Sequence, residues 1–172
     1  ILLSRLPAAP FDAGVAVTDR DLQRPAFEAF LDIEPVPIGS ASIGQTHRAT
    51  THEGDEVVIK VVKPGIRELL ERDARLLRMF GALLQVVIPR YQPRNLINEF
   101  VLYTLREVDL SREADNAETF AANFKDLDDV VFPAIHRALS GPSVLTMEFL
   151  KGVQPDSEAA QALPAETRER LV

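Results

Sequence analysis

The chain has 172 residues, of which 46% are apolar and 26% charged, and its net charge is −7. This balance is typical of a globular chain, and the length corresponds to one domain or to one lobe of a larger protein. The acidic net charge indicates that nucleic acid is not a partner. The absence of cysteine excludes disulfides, thiolate metal sites and a cysteine nucleophile within the chain. No apolar run approaches the ~20 residues that a membrane span requires.

Residues 1–35 are rich in proline and are predicted to be an irregular N-terminal extension, with one short helix from about Arg20 to Leu31. That helix would have four apolar residues on one face: Leu22, Phe27, Phe30 and Leu31. The chain starts without an initiator methionine or a signal-peptide pattern. We therefore expect it to be a fragment of a longer protein.

Residues 36–62 are predicted to form strands around a loop of small side chains. The loop covers residues 38–45, and a polar strand rich in β-branched residues follows at residues 46–51. Glu53-Gly54-Asp55 has the composition of a turn. Residues 57–62 then form a run of β-branched side chains that is typical of a strand.

The rest of the chain is predicted to form helices followed by strands. An apolar stripe with helical period predicts a helix over residues 66–88, and a second helical stretch, open to a kink, covers residues 95–123. Strands are predicted at residues 131–139 and 144–149, and a final helix at residues 157–172. Antiparallel strands with helices inserted between the third and the fourth define an α+β fold with a five-stranded sheet.

Lys60 is the first candidate for chemistry, because the alternation of its strand places it between Val58 and Val62 on one face. If that face is buried, the ammonium needs a carboxylate partner, since an unpaired buried charge is costly. If the face is half-exposed, the side chain extends to water and needs no partner. The pattern alone leaves both interpretations open.

The loop at residues 38–45 is the second candidate. Its small side chains would let backbone N–H groups approach phosphate oxygens, although such a loop is also typical of an ordinary tight hairpin. The combination with Lys60 is more informative. A phosphate-covering loop on one hairpin and a lysine on the next strand hold nucleotide in kinase-like folds.

A lysine in that position needs a carboxylate from a helix, and Glu107, Asp109 and Glu113 are the candidates. On a helical wheel centred on Leu110, Glu113 and Glu107 border the buried stripe on opposite sides, whereas Asp109 lies further round. The alternative is a solvated acidic face, because most of the acids in this region must face water.

Four segments, taken in order, resemble one family. Residues 40–49 (SASIGQTHRA) are similar to its nucleotide loop, and residues 58–66 (VIKVVKPGI) to its lysine strand and the turn that follows. Residues 107–114 (EVDLSREA) resemble its E-x-D motif and the helix behind it, and residues 144–152 (VLTMEFLKG) resemble its hinge strand. These segments are similar to the UbiB family of atypical kinase-like proteins.

The resemblance implies a kinase-like N-lobe over residues 36–152, with a helical insert at residues 66–124. Residues 153–172 would lead from the hinge into a C-lobe that the chain does not contain. Lys60 would neutralise phosphate oxygens and pair with Glu113. The loop would bind nucleotide through five residues: Ala41, Ser42, Ile43, Gly44 and Gln45. The hinge would meet the adenine through four residues: Met147, Glu148, Phe149 and Leu150.

The resemblance further implies that Glu107 and Asp109 belong to a regulatory insert that restrains the active site. The cofactors would be ATP or ADP with Mg. The Mg ligands are expected mostly from the C-lobe, because the family's catalytic loop and its Asp-Phe-Gly metal ligand do not occur in the chain. The three histidines show no metal-ligand spacing either. The chain by itself is therefore expected to be inactive and to hold no metal.

The implied function is that of an ATP-dependent ATPase or phosphotransferase linked to ubiquinone or isoprenoid-lipid metabolism. A pseudokinase-type regulatory scaffold that binds a lipid or a protein partner is the alternative. The expected partners are nucleotide, the protein's own C-lobe, and an isoprenoid lipid or a membrane surface, in a cytoplasmic protein peripheral to a membrane. Without the C-lobe, exposed apolar surface would make the isolated chain self-associate.

Overall fold

The computed structural model describes residues 7–127 and 129–152. Five helices occur among these residues: α1 (Phe11–Leu22), α2 (Ala26–Ala29), α3 (Ile66–Val87), α4 (Pro93–Arg106) and α5 (Leu110–Asn123). Five strands occur with them: β1 (Phe30–Ile33), β2 (Gly39–Ser40), β3 (Gly44–Thr51), β4 (Glu56–Val62) and β5 (Val144–Glu148). Two short 3-10 helices lie at Pro89–Tyr91 and Arg137–Leu139.

The strands form one antiparallel sheet in the order β1-β3-β4-β5, and β2 also pairs with β3. Because β4 covers one edge of β3 along its length, β1 and β2 share the opposite edge. In the central hairpin, Thr46 of β3 lies opposite Lys60 of β4. Helices α3 to α5 are inserted between β4 and β5. The predicted α+β class and its five-stranded antiparallel sheet are therefore confirmed.

Side chains of β4 alternate between two apolar cores, as the sequence pattern predicted. Val57, Ile59 and Val61 are buried in a core that includes α2 and part of α1. Val62, on the face of Lys60, is buried in a second core with residues of α5 and β5. This arrangement places Lys60 on the α5 side of the sheet.

The predicted helix from Arg20 to Leu31 is wrong. Helix α1 ends at Leu22, because Gln23 adopts a left-handed conformation with φ of 54°, and Pro25 starts the separate short helix α2. Phe30 then begins β1 and pairs with Thr51 of β3. Pairing with a distant strand outweighs the local helical period, which does not encode that partner.

The second helical stretch is divided into two helices rather than kinked. Helix α4 ends at Arg106, and α5 starts at Leu110 with Asp109 as its N-cap. The Asp109 carboxylate accepts a hydrogen bond from the Ser111 N–H at 3.1 Å, which is the usual reason for aspartate at a helix start. Glu107 therefore does not lie on α5, and its wheel position relative to Leu110 was wrong.

The predicted strand at residues 131–139 is also wrong. Only Ile135 makes a bridge, to Met147 of β5, and the 3-10 helix Arg137–Leu139 follows it. Pro133 has no N–H to donate to a ladder. The fifth strand is instead β1. The helix predicted at residues 157–172 lies outside the described residues.

Candidate functional site

Lys60 and Glu113 form an ion pair between the sheet and α5. The Lys60 Nζ atom donates hydrogen bonds to Glu113 Oε1 at 2.7 Å and to Oε2 at 2.6 Å. The Lys60 side chain is 33% exposed and that of Glu113 is 44% exposed. The structure thus combines the two interpretations of Lys60, which has a carboxylate partner and still reaches the surface. The contact is present, and its chemical role stays a prediction.

Three contacts hold α5 in the orientation that brings Glu113 to Lys60. Leu110 and Ala114 are buried against Val62 and β5, and Glu113 borders this stripe because it precedes Ala114 by one residue. The Leu110 N–H donates to the Pro142 carbonyl at 2.8 Å. Two residues before the start of α5, the carbonyl of the buried Val108 accepts a hydrogen bond from the Arg67 guanidinium at 3.1 Å.

The small-residue loop turns tightly between β2 and β3. The Ala41 N–H donates to the Gly44 carbonyl at 2.8 Å, and the Ile43 carbonyl accepts from the Lys63 N–H at 2.8 Å. Ala41 and Ser42 are exposed. At Gly44 a Cβ atom would lie 3.0 Å from the Val61 carbonyl oxygen, so a glycine suits the close approach of β3 and β4 there.

The Gln45 side chain points away from Lys60, which differs from the predicted nucleotide-binding role. Gln45 is 1% exposed. Its Oε1 atom accepts from the Ala9 N–H at 2.8 Å, and its Nε2 atom lies 2.9 Å from the Nε2 atom of His47. Because neighbouring residues of a strand face opposite sides, the side chain belongs to the α1 face of the sheet. It can hold the loop in place, but it does not line the Lys60 face.

Lys63 is a loop contact that the sequence analysis missed. Its Nζ atom donates to the Ala41 carbonyl at 2.6 Å and to the Pro7 carbonyl at 2.8 Å. The side chain thereby connects the loop, the end of β4 and the segment before α1. The sequence feature that could have predicted this contact is the position of Lys63, one residue after β4. The end of β4 pairs with the end of β3 that follows the loop.

Replacing Lys63 by methionine should loosen the loop. The substitution removes both side-chain hydrogen bonds but keeps a side chain of similar length. A hydrogen bond contributes ~0.5–1.5 kcal/mol, so backbone amide exchange at residues 40–44 should rise about two- to tenfold. Hydrogen exchange measured by mass spectrometry tests this, with Lys125→Met, at an exposed lysine after α5, as the matched control. Equal exchange in the two variants would show that Lys63 does not restrain the loop.

The predicted hinge residues lie at the end of β5, beside the start of β4. Met147 lies opposite Val58, on the Lys60 face. The Glu148 N–H donates to the Ala134 carbonyl at 2.8 Å, and the Phe149 N–H donates to the Glu56 carbonyl at 3.0 Å. Since these two donors are already engaged, an adenine contact at either residue would use its carbonyl oxygen.

Side chains also hold the hinge segment against the sheet. The Arg48 guanidinium lies 4.3 Å from the centre of the Phe149 ring, a favourable cation–π distance. Lys151 forms an ion pair with Glu56 at 2.7 Å. The hydrogen bond from Lys151 lowers the pKa of the Glu56 carboxyl below its usual value. Leu150, the fourth predicted hinge residue, is exposed between these contacts.

Glu107, Asp109 and Glu113 line one open cleft of about 360 Å³ beside α5. The predicted regulatory carboxylates are thus close to the partner of Lys60. The Asp109 carboxylate is engaged as a helix cap, whereas Glu107 is exposed. Arg112 lies in the wall of the same cleft, so the three acids face at least one cation.

Comparison with known proteins decides the family. The ABC1 atypical kinase-like domain matches residues 1–171. The chain belongs to the ABC1 atypical kinase-like family. Among its relatives is Protein ACTIVITY OF BC1 COMPLEX KINASE 8, chloroplastic, of Arabidopsis thaliana, which is 33% identical over 175 residues, 99% of this chain and 23% of the relative. The "probable protein kinase UbiB" of Aliivibrio salmonicida is 35% identical over 152 residues, 85% of this chain and 28% of the relative.

A solved structure is similar to this chain along most of its length. Rv3197 of Mycobacterium tuberculosis, solved in a complex with erythromycin, is 30% identical and matches with a TM-score of 0.76, covering 96% of this chain and 41% of that protein. The predicted UbiB resemblance and the kinase-like fold are therefore confirmed. The chain corresponds to a minor part of each of these relatives. Among the described helices, none combines the length and the apolarity needed to cross a bilayer.

Proposed function

We propose that the chain is the nucleotide-binding lobe of an atypical kinase-like ATPase or phosphotransferase of the ABC1/UbiB type. The observation that carries this proposal is the contact of Lys60 with both carboxylate oxygens of Glu113. In protein kinases a lysine of the sheet and a glutamate of the neighbouring helix form this pair, and the lysine neutralises nucleotide phosphates. The small-residue loop lies at the same end of the β3–β4 hairpin as Lys60, because Gly44 at the end of the loop pairs with Val62.

The geometry leaves Lys60 capable of binding a phosphate while it stays paired. An ammonium group has three N–H donors, and the two carboxylate oxygens of Glu113 engage two of them. The third donor can reach an anion from the solvent side, because the pair is partly exposed. Ala41 and Ser42 are exposed in the loop, and their small side chains leave room for a phosphate to approach the backbone.

The Mg ion of the nucleotide would be held mostly outside this chain. Within residues 7–127 and 129–152, no group of three or more His, Asp or Glu side chains is arranged to hold a metal. We propose that the C-lobe supplies the Mg ligands and the group that orients the attacking nucleophile. Mg bound there would neutralise the phosphate charge during transfer.

A melting experiment on the full-length protein tests nucleotide binding. A ligand that binds only the folded state stabilises it by RT ln(1 + [L]/Kd), which is ~2.7 kcal/mol at 100 times Kd. Mg-ADP and Mg-ATP should therefore each raise the melting temperature in a concentration-dependent way. Mg with inorganic phosphate is the control. The absence of a shift with either nucleotide would refute the proposal.

The second candidate is a pseudokinase-type scaffold that binds a lipid or a protein partner. Phosphoryl transfer also needs a catalytic loop and metal ligands, so nucleotide binding at Lys60 would not by itself establish an enzyme. Nucleotide turnover by the full-length protein separates the two candidates. Binding with turnover supports an enzyme, whereas binding without turnover under any condition supports the scaffold.

The similarity to a UbiB protein supports a link to ubiquinone or other isoprenoid-lipid metabolism. Deleting the full-length gene should then lower the isoprenoid quinone content of the cell. The wild-type gene should restore that content, and a Lys60→Ala gene should not. Restoration by both genes would show that the lipid role does not depend on Lys60. An unchanged quinone content in the deletion strain would contradict the link to lipid metabolism.

The hairpin of α3 and α4 supports contact with a membrane surface. Residues 75–106 carry five arginines and one acid, although the whole chain has a net charge of −7. All five arginines are exposed. Large apolar side chains are also exposed on this hairpin, among them Met79, Leu83, Val86, Val87, Tyr91 and Leu96. Arginines beside exposed apolar groups favour anionic lipid surfaces.

Replacing Arg78 and Arg90 together by glutamine should weaken binding of the full-length protein to vesicles that contain phosphatidylglycerol. Each arginine near an anionic surface contributes ~1 kcal/mol, so binding should fall about fivefold per substitution. Co-sedimentation measures this. Replacement of Arg20, exposed in the last turn of α1, and of Arg24, exposed just after that helix, is the matched control. Equal binding by the two double variants would exclude the hairpin as the lipid contact.

A further inference from the structure

Arg137 connects the segment before β5 to α5. Its Nε atom donates to Glu118 Oε1 at 2.8 Å, and its Nη2 atom donates to Glu118 Oε2 at 2.7 Å and to Asp115 Oδ1 at 2.7 Å. Asp115 and Glu118 are three residues apart, so they lie on the same side of the helix. A guanidinium fork that binds a carboxylate through two parallel hydrogen bonds defines both distance and orientation.

The segment that carries Arg137 is itself anchored to the hinge strand. The Ser140 hydroxyl accepts from the Thr146 N–H at 2.9 Å and donates to the His136 carbonyl at 2.9 Å. The Thr146 hydroxyl donates to the Leu139 carbonyl at 2.5 Å, and Thr146 is fully buried in β5. These hydrogen bonds attach the segment of Arg137 to β5. The contacts of Arg137 with Asp115 and Glu118 therefore connect α5 to the strand that leads into the hinge.

The apolar packing of α5 is concentrated before Glu113 and directly after it. Leu110 and Ala114 are buried, Ala117 is half-buried, and the intervening and following residues are largely exposed. The three contacts of Arg137 come next along the helix, followed by a stack of Phe120 on Phe132. Glu113 thus lies between the buried Leu110 and the helix residues Asp115 and Glu118 that Arg137 binds.

We propose that Arg137 is a positioning residue, which holds α5 in the place where Glu113 reaches Lys60. The inference rests on the nucleotide role proposed for that pair and adds the group that maintains it. A partly exposed ion pair contributes little to global stability, so the effect of Arg137 should concern the position of α5 and the site. The hydrogen bond from Arg137 also lowers the pKa of the Glu118 carboxyl below its usual value.

The test uses Arg137→Gln in the full-length protein, with Arg20→Gln, at an exposed position of α1, as the control. Backbone amide exchange at residues 110–123 should rise in Arg137→Gln and not in the control. The affinity for Mg-ADP should fall about three- to thirtyfold, within the usual range of coupling between contacting groups. Arg137→Lys, which keeps the charge without the fork, should recover part of the loss.

A double-mutant cycle with Glu113→Gln distinguishes positioning from general destabilisation. If Arg137 acts through Glu113, then Arg137→Gln should cause no further loss of Mg-ADP affinity in the Glu113→Gln background. The same loss in both backgrounds, or unchanged exchange at α5, would overturn the inference. Asp115→Asn with Glu118→Gln removes the same contacts from the helix side and replaces Arg137→Gln if that variant does not fold.

These experiments give different results if the proposed nucleotide function fails and if the positioning role of Arg137 fails. If the wild-type protein binds no nucleotide, the function is refuted while amide exchange at α5 still reports whether Arg137 positions the helix. If the wild-type protein binds nucleotide and Arg137→Gln binds it equally well, the positioning role is refuted and the function stands.

Discussion

Replacing Lys60 by alanine should strongly reduce the rise in melting temperature that Mg-ADP or Mg-ATP gives the full-length protein. The Lys60 ammonium is held by Glu113 through two hydrogen bonds, and its remaining donor is the one that would reach a phosphate. Hydrogen bonds to charged groups contribute ~1.5–3 kcal/mol, so the affinity should fall about tenfold or more. Differential scanning fluorimetry over a series of nucleotide concentrations measures the loss.

The same variant should keep most of its stability when nucleotide is absent. The Lys60 and Glu113 side chains are partly exposed, and such pairs contribute ~0.2–1 kcal/mol. A lost nucleotide shift can therefore be separated from unfolding. Lys125→Ala, at an exposed lysine far along the chain from the loop, is the matched control and should respond like the wild type. An unchanged shift in Lys60→Ala would reject the role given to Lys60.

Replacing Phe30 by alanine should have the largest effect on stability. Phe30 is 0% exposed in the core that joins β1 to β3 and β4. Removal of a buried phenylalanine costs ~3–5 kcal/mol, because apolar contacts are lost and a cavity remains. Urea unfolding of the full-length protein, followed by circular dichroism, should show the corresponding decrease in the free energy of unfolding.

Phe27→Ala is the matched control, since Phe27 is the same residue type three positions earlier and is 55% exposed. Surface substitutions usually change stability by no more than ~0.5 kcal/mol, so this variant should unfold like the wild type. The pair also tests the strand β1. A continuous helix from Arg20 to Leu31 would put both phenylalanines on one face and would make their replacements similarly costly.

Local sequence patterns were sufficient to predict strand β4 and helix α3. The β-branched run at residues 57–62 predicts β4 because such side chains suit a pleated, buried surface. The long apolar stripe at residues 66–88 predicts α3, which the structure shows as Ile66–Val87. The helical stripe is long and strongly periodic, and the strand run is rich in β-branched residues, so neighbours along the chain already specify both conformations. The alternation in β4 also predicts that Lys60 lies on the face of Val62.

Patterns were misleading where the partner is distant in sequence. Phe30 was assigned to a helix because its spacing to Leu22 and Phe27 has a helical period, yet it pairs with Thr51. Residues 131–139 contain enough β-branched and apolar side chains for a strand, but Ile135 alone bridges to β5. The free energy of a strand comes from cross-strand pairs, which a single segment does not reveal.

The candidate site was likewise predicted in part from the sequence and decided in part by the tertiary structure. The sequence determined which residues are chemically suited to it: Lys60 in a strand, small residues in a loop, and an acid at the edge of an apolar stripe. Its pattern offered Glu107, Asp109 and Glu113 as acids, and the family resemblance implied Glu113. The tertiary structure brought Glu113 to Lys60. The reason is the break before α5, capped by Asp109, which sets the rotation of that helix independently of α4.

The residues that hold the site in place came only from the tertiary structure. Lys63 binds the loop carbonyl of Ala41, Gln45 turns to the opposite face, and Arg137 reaches α5 from beyond the insert. Each contact depends on the direction of a side chain and on segments far apart in sequence. The periodicity of a strand or a helix specifies which face a residue occupies, whereas the partner it meets there depends on how the whole lobe packs.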